Sequence, residues 1–203
     1  RLATVSPKDE AARYNNLVNP SQTQAIQEYF ADKEPGHYSM LRTSISPNII
    51  KGGYRINIIP SEAEATLDVR ALPDENMDAF LAKVKEVVAD PQLTVAFETR
   101  DTRPGAPPSS LTNEMFKVLE ANGRKHYKTI TIPTMQTGAT DMAHLRAKGM
   151  QSYGIGPMFD EEDGPKGYGA HSDQERILES ALYQFVQFHF DVVADMAKAK
   201  WAL

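Results

Sequence analysis

The sequence predicts a mixed fold, with an α+β layer in the first half and part of an α/β layer in the second. Apolar and polar side chains alternate with period two from residue 38 to residue 70, between stretches of helical periodicity. A stiff Pro/Gly segment at residues 103–108 then separates the halves. Beyond it, strand, helix and strand follow one another within residues 129–156, which is typical of a βαβ unit with parallel strands.

The first half divides into helices and strands by its periodicity. Ser6 and Ser21 are candidate caps for two helices, the second of which is expected to stop near residues 35–36. Four strands and a further helix make a four-stranded antiparallel sheet with helices on it, as in a split βαβ module. The strands are expected at 41–45, 54–58, 63–69 and 93–97, and the helix from residue 73 to residue 91.

Elements in the second half are shorter and alternate. A helix is expected around residues 114–121, a strand at 129–135, a short helix from about 140 to 148 that ends at Gly149, and a strand at 151–156. After a Gly-rich acidic loop, a long helix is expected over residues 174–198. The halves together predict two domains, residues 1–102 and 103–203.

Composition excludes several classes of protein. The chain has 203 residues, 41% hydrophobic and 24% charged, which fits one large or two small globular domains. A net charge of -5 argues against nucleic acid as a partner, and no apolar run is long enough to span a membrane. Without cysteine, a transition metal would need His and carboxylate ligands. The compartment stays open, because the chain begins at Arg1 without an initiator Met and we expect an upstream portion.

A glycine pair at residues 52–53 predicts a tight turn in a hairpin that carries two polar side chains. Asn57 stands among isoleucines just before a proline, and Arg70 ends the next strand. An amide and a guanidinium held out in this way can grip a substrate carboxylate. The simpler alternative is an Asn that satisfies a turn and an Arg in a solvated surface ion pair.

Two loops follow the predicted parallel strands, where active groups gather in such sheets. Gly138 permits close approach to the backbone before the short helix, which Thr140 or Asp141 can cap. His171 lies between small residues just before the last helix and could bind a metal, although most single histidines bind none. The acidic residues 160–163 are expected to be solvated.

Residues 48–70, 137–141, 154–157 and 169–177, in this order, resemble the zinc aminoacylase/carboxypeptidase family. The resemblance implies a zinc-binding α/β catalytic domain, of which residues 103–203 are the C-terminal part. Residues 1–102 would be most of a lid domain that forms a homodimer. His171 would be a late metal ligand, Asn57 and Arg70 would hold the substrate, and Gly138 would line the pocket.

The family's earlier motifs are missing from this sequence. A His-x-Asp ligand motif, a bridging Asp and a Glu-Glu pair with the general base have no counterpart, and a lid histidine would precede Arg1. We therefore expect the C-terminal half of an enzyme, inactive alone, that holds two zinc ions when intact, with cobalt or manganese as substitutes. The expected activity is hydrolysis of an amide or peptide bond beside a free carboxylate, in a small peptide or an N-acyl amino acid. The alternatives are a non-catalytic dimerisation and binding module, or a carrier of small molecules.

Overall fold

Helices dominate the part of the chain that the structure describes, which covers residues 1–100, 102–157 and 162–198. This computed structural model divides into two units, each with its own internal contacts. The first comprises residues 1–107 and 134–147, and the second comprises residues 108–133 and those from 148 onward. No helix among the described residues combines the length and the apolar character that a membrane span requires.

The first unit begins with short helices around a small apolar centre. After a 3-10 turn at Leu2–Thr4 come α1 (Lys8–Asn15), α2 (Thr23–Lys33) and α3 (Pro35–Met40). Phe30 and Ile26 of α2 are buried, and Tyr14 of α1 donates a hydrogen bond from its hydroxyl to Glu34 Oε2 at 3.0 Å. The chain therefore folds back on itself within its first 40 residues.

The expected serine caps of these helices were wrong. Pro7 and Gln22 stand at the two N-cap positions, and neither Ser6 nor Ser21 caps a helix. Helix α2 ends near residue 35 as expected, but a further helix begins there, with Pro35 in the first turn of α3. A proline suits that position, since its missing N–H would have no partner there in any case.

Two antiparallel strands form the sheet of the first unit. β1 (Ser44–Gly52) pairs with β2 (Ala63–Arg70), from Ser44 opposite Arg70 to Gly52 opposite Ala63, with a β-bulge between Pro47 and Ile49. A hairpin with a tight turn at residues 52–53 and a second strand at 54–58 was expected, and both the turn and that pairing were wrong. β1 also begins and ends later than the strand expected at 41–45, whereas β2 matches the strand expected at 63–69. Gly53 adopts a left-handed φ of 72° and opens a loop over residues 53–62.

The expected strands at residues 54–58 and 93–97 have no strand hydrogen bonding, so the sheet has two strands among the described residues rather than four. Their alternating pattern is real, but a strand also needs a partner backbone. Between them, α4 (Met77–Val88) lies where a helix was expected. The Asn76 side chain caps α4 by accepting a hydrogen bond from the Ala79 N–H at 3.0 Å.

In the second unit, two long helices pack against each other. α5 (Glu114–Tyr127) runs well past its expected end at residue 121, and α7 (Glu179–Lys198) begins five residues after its expected start at residue 174. Their contact buries Leu119, Phe188 and Val192. On α7, three exposed apolar side chains follow one another four positions apart and so form a stripe along the helix: Leu182, Val186 and Phe190.

The expected parallel strands at residues 129–135 and 151–156 are irregular in the structure. In the segment 151–156, a side chain and not a neighbouring strand pairs with the backbone of Ser152. The Ser109 hydroxyl donates to the Ser152 carbonyl at 2.7 Å and accepts from the Ser152 N–H at 2.8 Å. Between these segments, α6 (Met142–Ala147) forms as expected, and Gly149 follows it with a left-handed φ of 82°. The described residues therefore contain the helix of the expected βαβ unit without its strands.

Candidate functional site

Arg70 ends β2 with its guanidinium at the surface. Its Nη2 donates to Asp68 Oδ2 at 2.5 Å, and the Arg70 side chain is 44% exposed. Residues two apart on a strand share a face, so the pair is local. An exposed pair of this kind contributes at most about 1 kcal/mol. An external carboxylate could therefore replace Asp68 at little cost.

Asn57 lies in the loop that follows Gly53. A turn surrounds it, in which the Ile58 N–H donates to the Arg55 carbonyl at 3.3 Å. The Asn57 side chain is exposed and makes no hydrogen bond to the described residues, including Arg70. Its amide is thus available to a ligand, but the structure does not join it to the guanidinium.

The loop before α6 carries Gly138 and the cap of that helix. Thr140 Oγ1 accepts a hydrogen bond from the Met142 N–H at 3.2 Å, and so satisfies one free N–H group at the start of α6 from one position before the N-cap. Gly138 is exposed and does not have a left-handed φ, and a Cβ there would meet only the Gln136 side chain, at 3.5 Å. The backbone therefore does not itself require glycine at this position.

His171 has an unusual backbone conformation. Its φ is 68°, and its N–H donates to Glu175 Oε2 at 3.1 Å. Two other described non-glycine residues have positive φ, Ala89 and Lys128, and both directly follow helices, where such a conformation is common. His171 follows no helix, and strained backbone of this kind costs about 1–3 kcal/mol and clusters at functional sites.

The His171 imidazole is exposed and makes no hydrogen bond or ion pair within the described ranges. It is therefore available as a metal ligand. However, among the described residues no three His, Asp or Glu side chains come together as a metal would require. The described residues therefore offer one exposed imidazole and no complete metal centre.

The acidic segment at residues 160–163 contains a buried and paired carboxylate, Asp163, which its sequence context does not indicate. Of residues 160–163, the first two lie outside the described residues, and the expectation of a solvated carboxylate was wrong for Asp163, which is only 7% exposed. The Arg176 guanidinium donates from Nε to both Asp163 carboxylate oxygens at 3.1 Å and from Nη2 to Oδ1 at 2.5 Å. These hydrogen bonds hold the pKa of the Asp163 carboxyl below its usual value.

The expected site residues are divided between the two units. Asn57, Arg70 and Gly138 belong to the first unit, and His171 belongs to the second. The first unit therefore carries the amide, the guanidinium and the loop, and the second unit carries the exposed imidazole.

Comparison with known proteins identifies a matching domain family and several similar proteins. Residues 10–96 match the peptidase dimerisation domain. The chain is 24% identical to a probable carboxypeptidase S-like 2 from Dictyostelium discoideum, over 79% of this chain and 30% of that protein. It is 27% identical to aminoacylase-1B from Rattus norvegicus, over 76% of this chain and 37% of that protein. It is also 24% identical to the human N-fatty-acyl-amino acid synthase/hydrolase PM20D1, over 87% of this chain and 35% of that protein.

The chain thus spans about a third of the length of the curated relatives it matches. No solved structure gave a significant match.

Proposed function

Since this chain belongs to the aminoacylase and carboxypeptidase family, we propose that it is part of a metal-dependent hydrolase. The reaction is cleavage of an amide or peptide bond beside a free carboxylate, in a small peptide or an N-acyl amino acid. The observation that carries this proposal is the match to the peptidase dimerisation domain over residues 10–96, which contain both Asn57 and Arg70. In this proposal residues 1–102 are the lid domain and residues 103–203 the C-terminal part of the catalytic domain.

Arg70 binds the substrate carboxylate in this proposal. Its exposed guanidinium supports the role, because a planar fork of N–H donors matches a carboxylate and fixes its orientation. Asn57 donates its side-chain amide to a substrate oxygen, and Gly138 lines the pocket with accessible backbone. These residues orient the substrate and do not carry out the chemistry.

His171 supplies one ligand to the metal, and the remaining ligands and the general base come from outside the described residues. An exposed imidazole on a strained backbone supports this role. Bound zinc would polarise the scissile carbonyl and lower the pKa of a bound water. The 203 residues alone are proposed to be inactive.

The lid is proposed to form a homodimer, as the name of the matching domain suggests. Its hairpin exposes apolar side chains that a partner could cover, among them Ile50 and Tyr54. We also propose that residues 54–58 and 93–97 complete a four-stranded sheet in the assembled protein. Slow amide hydrogen exchange in both segments of the dimer would support this, and fast exchange in both would contradict it.

The carboxylate role of Arg70 can be tested by kinetics of the full-length enzyme. Arg70→Ala should raise KM by roughly 10- to 100-fold for substrates with a free carboxylate, because hydrogen bonds to charged groups contribute about 1.5–3 kcal/mol each. Amidated versions of the same substrates lack the charge and should lose far less. Arg70→Lys should fall between, since an ammonium cannot form the paired contact.

Lys83→Ala is the matched control, because it removes an exposed cation paired with Glu86 in the same unit. It should leave both substrate classes unaffected. Equal losses on acids and amides in Arg70→Ala would reject the proposed role.

A second function, a non-catalytic dimerisation and binding module, is favoured by one observation. The described residues bring no three metal-binding side chains together. Zinc analysis of the full-length protein separates the two. The hydrolase should bind zinc and lose it in His171→Ala, whereas the module should form a stable dimer that never acquires metal.

A further inference from the structure

We propose that Asp163 and Arg176 form a positioning pair, which holds the segment between them in the one conformation that presents the His171 imidazole. The inference rests on the proposed function, in which that imidazole binds metal. It concerns how the segment is held, however, and it can be tested separately from the ligand role. We call residues 163–176 the histidine loop.

The pair closes the histidine loop at its two ends. Asp163 and Arg176 are 13 positions apart, and three hydrogen-bond contacts join them. Asp163 is buried in the closed loop, and a buried carboxylate is costly unless it is paired, so removal of the Arg176 guanidinium would leave a closed loop with an unpaired charge and would favour opening. The rigid guanidinium fork also fixes the angle at which the two ends meet.

Contacts inside the histidine loop depend on this closure. The Tyr168 N–H donates to the Asp163 carbonyl at 3.0 Å, and the Arg176 guanidinium carbon lies 4.4 Å from the centre of the Tyr168 ring. Tyr168 is thus bound to both members of the pair, once through its backbone and once through its ring. Loss of the pair would free the first half of the loop as well as its ends.

The second half of the loop carries the strained histidine. The Ser172 N–H donates to the Gly169 carbonyl at 3.2 Å, and the Glu175 N–H donates to the Ser172 carbonyl at 3.1 Å. Between them His171 keeps its φ of 68°, which persists only when the surroundings enforce it. Glu175, next to Arg176 in sequence, accepts the His171 N–H and so transmits the position of the loop end to the histidine.

The same loop offers a matched control. Lys166 Nζ lies 2.9 Å from Glu162 Oε2, but both side chains are exposed and the pair spans only one short turn. It does not close the loop, and its removal should leave His171 in place.

The test compares Arg176→Ala, Asp163→Asn and Lys166→Ala in the full-length protein. Amide exchange of residues 164–175 reports the closure, and the nuclear magnetic resonance signal of the His171 ring reports its surroundings. In Arg176→Ala and Asp163→Asn, exchange should rise about tenfold and the ring signal should shift and broaden. Arg176→Lys should rescue exchange in part, and Lys166→Ala should match the parent protein.

Zinc titration of the same variants gives an independent readout. Affinity should fall roughly 10-fold in Arg176→Ala, within the range known for residues that orient a metal ligand without touching the metal. If the histidine loop exchanges no faster in Arg176→Ala and Asp163→Asn than in Lys166→Ala, the inference is overturned. It is also overturned if the loop opens while either the ring signal or, where His171 is shown to bind zinc, the zinc affinity stays unchanged.

His171→Ala distinguishes this failure from failure of the proposed function. If His171→Ala loses zinc but Arg176→Ala binds zinc as tightly as Lys166→Ala does, the ligand role stands and the positioning role falls. If His171→Ala keeps its zinc, the ligand role falls, and exchange and the ring signal alone decide the positioning.

Discussion

Phe188→Ala should be among the most destabilising single changes in the second unit. Phe188 is 6% exposed, and its ring centre lies 5.4 Å from that of Tyr127, 6.1 Å from that of His126 and 6.2 Å from that of Phe185. The substitution removes a buried ring from the α5–α7 contact and leaves a cavity. Such changes cost about 3–5 kcal/mol.

Urea unfolding followed by far-ultraviolet circular dichroism measures this loss, because α5 and α7 supply much of the helix in the second unit. With a slope of about 2 kcal/mol per molar urea, the midpoint should fall by roughly 1.5–2.5 M. The control is Phe190→Ala, on the same helix but 72% exposed. It should change the free energy of unfolding by no more than about 0.5 kcal/mol.

Comparable losses in the two variants would refute the reasoning. Small losses in both would mean that α7 does not pack on α5 through Phe188. Large losses in both would mean that the apolar stripe of α7 is covered in solution.

Three further predictions concern a loop and two titrating groups. Gly138→Ala should leave the urea midpoint unchanged, because no neighbour crowds a Cβ there, yet it should raise KM if substrate contacts that backbone. Tyr14→Phe should remove a late step from the tyrosinate absorbance titration, since burial and the hydrogen bond to Glu34 raise the pKa of Tyr14 to about 12. The pKa of Asp163 is lowered by Arg176, so its contribution to stability is full above its unfolded-state pKa and is lost as pH falls through the folded-state pKa. Asp163→Asn should therefore flatten the acid limb of a plot of stability against pH, and an unchanged limb would contradict this.

The helices were largely predictable because their signals are local. The apolar spacing of α4, α6 and α7 lies within each segment, and Gly149 marks an end that needs no distant partner. The caps were less predictable. Asn76 caps α4 and Ser21 caps nothing, although both residue types favour that position, because the cap depends on where the preceding backbone turns.

The strands were less predictable, since alternation indicates only that a segment could pair. β1 and β2 are joined by one loop and find each other, whereas residues 54–58 and 129–135 share the same pattern without a ladder. Of the candidate site, the sequence indicated which side chains are exposed polar groups. It did not reveal that Asp163 pairs with Arg176, because an ion pair across 13 positions depends on the path of the loop.

The bulge in β1 has a consequence for the pairing register of the hairpin. Both faces of the hairpin are largely exposed, so burial alone discriminates poorly between neighbouring alignments. The extra residue, Asn48, falls between Pro47 and Ile49 and offsets the two parts of β1 by one position. If Asn48 were instead paired within a regular ladder that kept Gly52 opposite Ala63, the first part of β1 would shift by one position and Ile45 rather than Ser44 would lie opposite Arg70. One unpaired asparagine thus determines which neighbours surround the guanidinium.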